Sequence, residues 1–173
     1  MTVIVDLTVA ISVGMVLAAF LFIRRMAEVT NVRALTSDLD ETSPEADAAE
    51  TAERRQLDIP PGVEVYEING PFFFGAAEMF KDALARIAGK PKVLIIRMRD
   101  VLALDSTGMH ALGDVVHRSR KDGTTVLLAD VHMQPLVALT NSPLLQEIGE
   151  DSLCATLNDA LARARSLVGQ PAV

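Results

Sequence analysis

This sequence has little cysteine, no tryptophan and fewer basic than acidic side chains, and the cysteine and charge counts each argue against a class of protein. The 173 residues include one cysteine, Cys154, no tryptophan, and only 4% aromatic residues. A single cysteine cannot form an internal disulfide, so the chain fits a reducing cytoplasm, and the thiol is expected to pack as a small hydrophobe. The net charge is −7, but residues 59–173 are near-neutral and show no basic stripe, which argues against nucleic-acid binding as the main activity.

The acidic charge is concentrated in the first third of the chain. Residues 1–58 contain 5 basic and 10 acidic side chains, whereas residues 59–173 contain 11 and 13. Residues 26–60 are polar and acidic without a sustained apolar stripe, which predicts a linker. The Pro60-Pro61-Gly62 sequence marks its end. A folded domain is therefore predicted over residues 61–170.

One long apolar run lies near the N-terminus. Residues 3–23 are interrupted by a single charge, Asp6, and would form a helix about 31 Å long, close to the thickness of a bilayer's hydrocarbon core. Residues 3–25 are therefore predicted to be a transmembrane helix, with a buried helix of a soluble domain as the alternative. Arg24 and Arg25 follow the run, which argues against a signal peptide and predicts a cytoplasmic location for the rest of the chain. The expected location is the inner membrane, crossed once.

The remainder alternates short β-like runs with amphipathic helical runs, which predicts an α/β fold with the order β-β-α-β-α-β-α-β-α. The first two strands, joined by Asn69-Gly70-Pro71, are expected to form a hairpin. The predicted strands are 63–68, 72–74, 92–98, 124–129 and 153–155. The predicted helices are 76–88, 106–121, 133–140 and one that begins at residue 157, with a further helical turn at 143–148.

One segment concentrates polar groups at a predicted helix start: Asp105, Ser106, Thr107 and Gly108. The first backbone N–H groups of a helix have no partners within it, and the helix dipole is positive there, so this segment is a candidate site for an anion or a phosphorylated hydroxyl. The alternative is structural. Asp and Ser are common helix-capping residues, and Gly108 would then serve only close packing.

The sequence resembles a known family at three places. INGPFFFGAAEMF and LALDSTGMHAL are similar to the first hairpin and helix and to the signature loop of STAS domains, the fold shared by sulfate transporters and anti-sigma-factor antagonists. DLTVAISVGMVLAAFLFIRRMAEV resembles the last transmembrane helix of sulfate-permease (SulP) transporters. The resemblance implies a STAS-type β-sheet with helices packed on it, preceded by one transmembrane helix and an acidic linker.

The resemblance also implies a function. The chain is expected to be the membrane-anchored STAS regulatory segment of a sulfate or other anion transporter, either as a fragment or as a split gene product. A single span contains no transport pathway. Its expected partners are a membrane-embedded transport domain or a missing N-terminal part, and a second copy of itself.

The alternative is a membrane-tethered signalling module related to anti-sigma-factor antagonists. In that branch the residue directly before the glycine of the loop accepts the phosphate, which is Thr107 here, and a regulatory protein or kinase would be the partner. No nucleophile–base pair or metal-ligand pattern is apparent, so neither an enzyme nor a metal, cofactor or nucleic-acid site is expected.

Overall fold

A computed structural model of the chain describes residues 2–29, 31–35, 57–85 and 90–169. Its α-helices are α1 (Thr2–Val29), α2 (Phe74–Ala85), α3 (Ser106–Lys121), α4 (Met133–Thr140), α5 (Leu144–Ile148) and α6 (Leu157–Gly169). Its strands are β1 (Asn31–Ala34), β2 (Val63–Asn69), β3 (Val93–Arg97), β4 (Thr125–Ala129) and β5 (Leu153–Cys154). A 3-10 turn at Glu150–Ser152 precedes β5.

The five strands form one sheet in the order β1-β2-β3-β4-β5. Strands β2 to β5 are parallel, and β1 pairs antiparallel with β2, with Asn31 opposite Asn69. All of β3 is buried, as its continuous apolar sequence predicts for a strand covered on both faces. The α/β architecture is therefore confirmed.

Two apolar layers cover the two faces of this sheet. Ile68, Leu94 and Leu128 lie on one face and pack in the same cluster as residues of α2 and α3. Val65 and Leu127 lie on the other face and pack in a second cluster with residues of α6. Successive residues of a strand point to opposite faces, so each strand contributes to both layers. Packing in the first of these clusters holds α3 against one face of the sheet.

The predicted hairpin, in which strand 72–74 would pair with strand 63–68, is wrong. Phe72 forms an isolated parallel bridge with Leu104, and Phe74 is already the first residue of α2. The strand that flanks β2 is instead β1, which lies inside the stretch predicted to be a linker. Residues 36–56 of that linker lie outside the described residues.

The predicted transmembrane helix over residues 3–25 is not supported. No helix in the described part of the chain is both long and apolar enough to cross a membrane.

Arg97, at the end of β3, links three strands through ion pairs. Its guanidinium lies 3.1 Å from Oε1 of Glu67 on β2 and 2.7 Å from Oδ2 of Asp130 after β4. The Arg97 side chain is only 10% exposed, and those of Glu67 and Asp130 are 13% and 21% exposed. Asp130 adopts a left-handed backbone conformation with φ of 55°, so the pairing also fixes a strained turn at the end of β4.

Replacing Arg97 by Met is expected to lower the free energy of unfolding by about 3 kcal/mol, because two largely buried carboxylates lose this guanidinium. Arg120→Met, at an exposed position in the last turn of α3, is the matched control and should change it by less than about 0.5 kcal/mol. Urea unfolding followed by circular dichroism in detergent measures both. Equal values for the two variants would show that the ion pairs contribute no stability.

Candidate functional site

Asp105 caps the N-terminus of α3. Its backbone is extended, with φ −93° and ψ 179°, and its Oδ1 accepts a hydrogen bond of 2.7 Å from the N–H of Gly108. The carboxylate therefore satisfies one of the backbone donors that a helix start leaves without a partner. This oxygen is already committed to the fold, so Asp105 has a structural role.

Gly108 is required by a close approach between two segments. A Cβ atom at this position would overlap the carbonyl oxygen of Phe72 and lie 2.9 Å from the Cδ1 atoms of Leu104 and Phe72. Carbon atoms in contact are normally about 3.5–4.0 Å apart, so no larger residue fits without displacing backbone. The start of α3 can rest against Phe72 only because residue 108 has no side chain.

The two hydroxyl residues of the loop remain accessible. Ser106 and Thr107 are both exposed in the first turn of α3, while Gly108 beside them is buried. Ser106 also lines a surface groove of about 990 Å³ that runs along α3 between α2 and α5. Two of the four loop residues, Asp105 and Gly108, therefore hold the shape of the loop. The other two, Ser106 and Thr107, have side chains exposed to solvent.

The side chain of Gln134 on α4 holds the backbone of Leu104, the residue that precedes the loop. The Leu104 N–H donates to Oε1 of Gln134 at 2.9 Å, and Nε2 of Gln134 donates to the Leu104 carbonyl at 3.3 Å. On the other side, the Phe72 N–H donates to the Ala103 carbonyl at 2.9 Å. The backbone that leads into the loop is therefore held between the Phe72 backbone and the Gln134 side chain of α4. The sequence contains no local signal for this role of Gln134.

Charges in the groove along α3 are largely paired. Lys81 on α2 lies 3.0 Å from Oδ2 of Asp114, and this hydrogen bond is the main cause that lowers the pKa of the Asp114 carboxyl. Lys90 lies 2.6 Å from Oδ1 of Asp122. Arg118, Lys121 and Glu147 also line the groove, so its four basic and three acidic side chains nearly balance and leave little excess positive charge with which to bind an anion.

The two histidines of α3 face different carboxylates. Nε2 of His110 lies 3.9 Å from Oδ1 of Asp114, and Nδ1 of His117 lies 3.7 Å from Oε2 of Glu147 on α5. Within the ranges that the structure covers, no three metal-ligating side chains come together. These histidines therefore belong to separate surface pairs.

Cys154 packs beside the apolar layer beneath α6. Desolvation by burial raises the pKa of its thiol, and the positive charge of Arg163 offsets this only in part. A raised pKa leaves little thiolate near neutral pH, so the residue is a poor nucleophile. Its surroundings match the role of a small hydrophobe.

Comparison with known proteins identifies relatives among membrane transporters. The family model described as the STAS domain matches residues 54–160. The Bacillus subtilis protein YvdB, whose assignment as a sulfate transporter is provisional, is 30% identical over 151 residues, which cover 87% of this chain and 26% of that protein. The bicarbonate transporter BicA of Picosynechococcus is 28% identical over 169 residues, which cover 95% of this chain and 28% of that protein.

A solved structure shares the fold at higher identity. The crystal structure of a sulfate transporter family protein from Wolinella succinogenes is 40% identical, with a TM-score of 0.63, and the match covers 74% of this chain and 99% of that one. The chain spans about a quarter of the length of the two curated relatives that it matches. The similarity therefore concerns one part of those transporters.

Gly108→Ala is expected to destabilise the fold by about 1–3 kcal/mol, because the added methyl group must displace the Phe72 backbone. Gly113→Ala on the same helix is the matched control. Its Cβ would lie 3.8 Å from Cδ1 of Leu144, an ordinary contact, so the gain in helix propensity should stabilise the chain by up to about 1 kcal/mol. Thermal unfolding distinguishes the two. A Gly108→Ala variant at least as stable as Gly113→Ala would contradict the close approach.

Proposed function

Because this chain belongs to the STAS domain family, and its STAS domain is homologous to those of sulfate transporter family proteins, we propose that it is the regulatory part of a SulP-type anion transporter. The transport pathway lies in a separate membrane-embedded domain, of the same or another polypeptide, because a single helix offers no alternating-access route. The STAS domain lies on the cytoplasmic side of the membrane and controls flux or assembly.

The observation that carries this proposal is the surface of α1. Large apolar side chains over residues 7–22 are each more than half exposed, on every side of the helix. A helix that is apolar all round requires an apolar environment. The Ser12 hydroxyl donates to the Thr8 carbonyl at 2.8 Å, so this polar group is satisfied inside the helix without water. We propose that α1 buries this surface in contact with the membrane-embedded part of the transporter.

The proposed substrate class is small inorganic oxyanions. The names of the two curated relatives refer to sulfate and bicarbonate, and both relatives are several times longer than this chain. Selection between these anions belongs to the transport domain, because the nearly balanced charges of the groove make the STAS domain a poor anion site. The STAS domain accordingly changes the rate of transport without choosing the ion.

Disrupting the STAS core is expected to change anion uptake by about fivefold or more, within the usual range of coupling between sites. Leu127→Asp places a charge at a fully buried position of the sheet, and Ala162→Asp places the same charge on the exposed face of α6 as the control. Uptake of labelled sulfate and bicarbonate is measured in cells with equal amounts of transporter in the membrane. Equal uptake by both variants would overturn the regulatory role.

A second candidate function is a phosphorylation switch, favoured by the exposure of the hydroxyls of Ser106 and Thr107 at the start of α3. A phosphate on Thr107 would add a charge of about −1.5 to −2 near the positive end of the helix dipole. It would also approach the carboxylate of Asp105, which holds the Gly108 N–H. Repulsion between the two anions would weaken this cap and change the surface around the loop.

If this switch operates, Thr107→Val should abolish phosphate incorporation from labelled ATP in a membrane extract of the source cells, and Ser106→Ala should leave it intact. Valine keeps the shape of threonine without the hydroxyl, so the fold is preserved. Mass spectrometry of the wild-type protein locates the modified residue. Absence of phosphate on Thr107 in the wild-type protein would eliminate this function.

A further inference from the structure

The end of the apolar helix α1 and the loop that contains Ser106 and Thr107 lie at the same edge of the sheet. Strands β2, β3 and β4 are parallel, so their last residues, Asn69, Arg97 and Ala129, define one edge, here called the carboxyl edge. β1 begins at this edge, because Asn31 pairs with Asn69. Only one residue separates β1 from the end of α1 at Val29, so the chain leaves α1 within about 7 Å of the carboxyl edge.

Three large apolar side chains are exposed near this edge. Leu102 precedes the loop and is 68% exposed, while Met133 and Val137 on α4 are 74% and 50% exposed. Met133 and Val137 are four residues apart and share one face of α4. The hydrogen bonds from Gln134 to Leu104 hold the first turn of α4 against the segment that contains Leu102. These three exposed side chains near the carboxyl edge are here called the apolar edge patch.

Charge distinguishes this edge from the opposite one. Around Leu102, exposed Asp100 and the nearby Asp105 carboxylate outnumber the one basic side chain beside them, exposed Arg99. At the other end of α3, the last turn contains three basic residues, including Arg120 and Lys121. Cytoplasmic loops of membrane proteins are enriched in Lys and Arg, so they are attracted by the carboxyl edge and repelled by the basic one.

We infer that the apolar edge patch of Leu102, Met133 and Val137 docks against the cytoplasmic face of the membrane-embedded transport domain. This inference rests on the proposed function and specifies which surface of the STAS domain performs it. The short connection between α1 and β1 brings the carboxyl edge to the membrane part that covers α1. The patch then buries its apolar side chains on that domain, with the acidic groups facing basic loops.

Site-specific photocrosslinking tests the docking in the whole protein, expressed in its own cells. A benzophenone amino acid replaces Leu102 or Met133 in separate variants, and Thr125, exposed at the opposite edge, is the control. Mass spectrometry identifies the crosslinked peptide. The expected result is a crosslink from positions 102 and 133, and none from 125, to a loop between hydrophobic segments of an anion-transporter-like domain.

Four results would overturn the docking: crosslinks to lipid, crosslinks to a second STAS domain, crosslinks equal in yield from position 125, or no crosslink. Uptake measurements separate this inference from the proposed function. If Leu127→Asp changes anion uptake but positions 102 and 133 do not crosslink to the transport domain, the regulatory function stands and the docking surface is wrong. If they crosslink while Leu127→Asp has no effect on uptake, docking stands and the regulatory function is wrong.

Discussion

The start of α3 rests directly on the backbone of Phe72, and the position of the signature loop follows from this contact. Residue 108 must be glycine because a Cβ atom there would overlap the Phe72 carbonyl. Asp105 then caps the helix through the N–H of that same glycine. The Phe72 N–H in turn donates a hydrogen bond to the carbonyl of Ala103, which lies just before the loop. One close approach thus determines where the helix begins and leaves Ser106 and Thr107 exposed at a rigid site.

The functional interpretation of the loop and that of the apolar helix α1 depend on each other. An exposed hydroxyl pair at a helix start is common in proteins of many functions, and an apolar helix alone specifies no activity. The sheet joins them, because the antiparallel pairing of β1 with β2 returns the end of α1 to the edge where α3 begins. A change at the loop is therefore made at the same edge of the sheet where α1 ends.

Local sequence predicted those elements whose signals are local. Asp105 and the apolar periodicity correctly predicted α3 over Ser106–Lys121, and continuous apolar runs predicted β3 and β4. Strand β1 was missed because its short polar sequence forms a strand only when β2, about thirty residues later, supplies hydrogen bonds. The false hairpin at Phe72–Phe74 has the same origin, since the partner of Phe72 is Leu104.

The two outer strands of the sheet, β1 and β5, differ in how many backbone groups they could present to another chain. Strand β5 pairs with β4 through only two residues, and β1 contributes four on the other side. Short edge strands give an incoming strand few backbone groups to bond. Extension of the sheet into an aggregate is consequently disfavoured, even though the chain presents an apolar helix that makes it prone to associate through side chains.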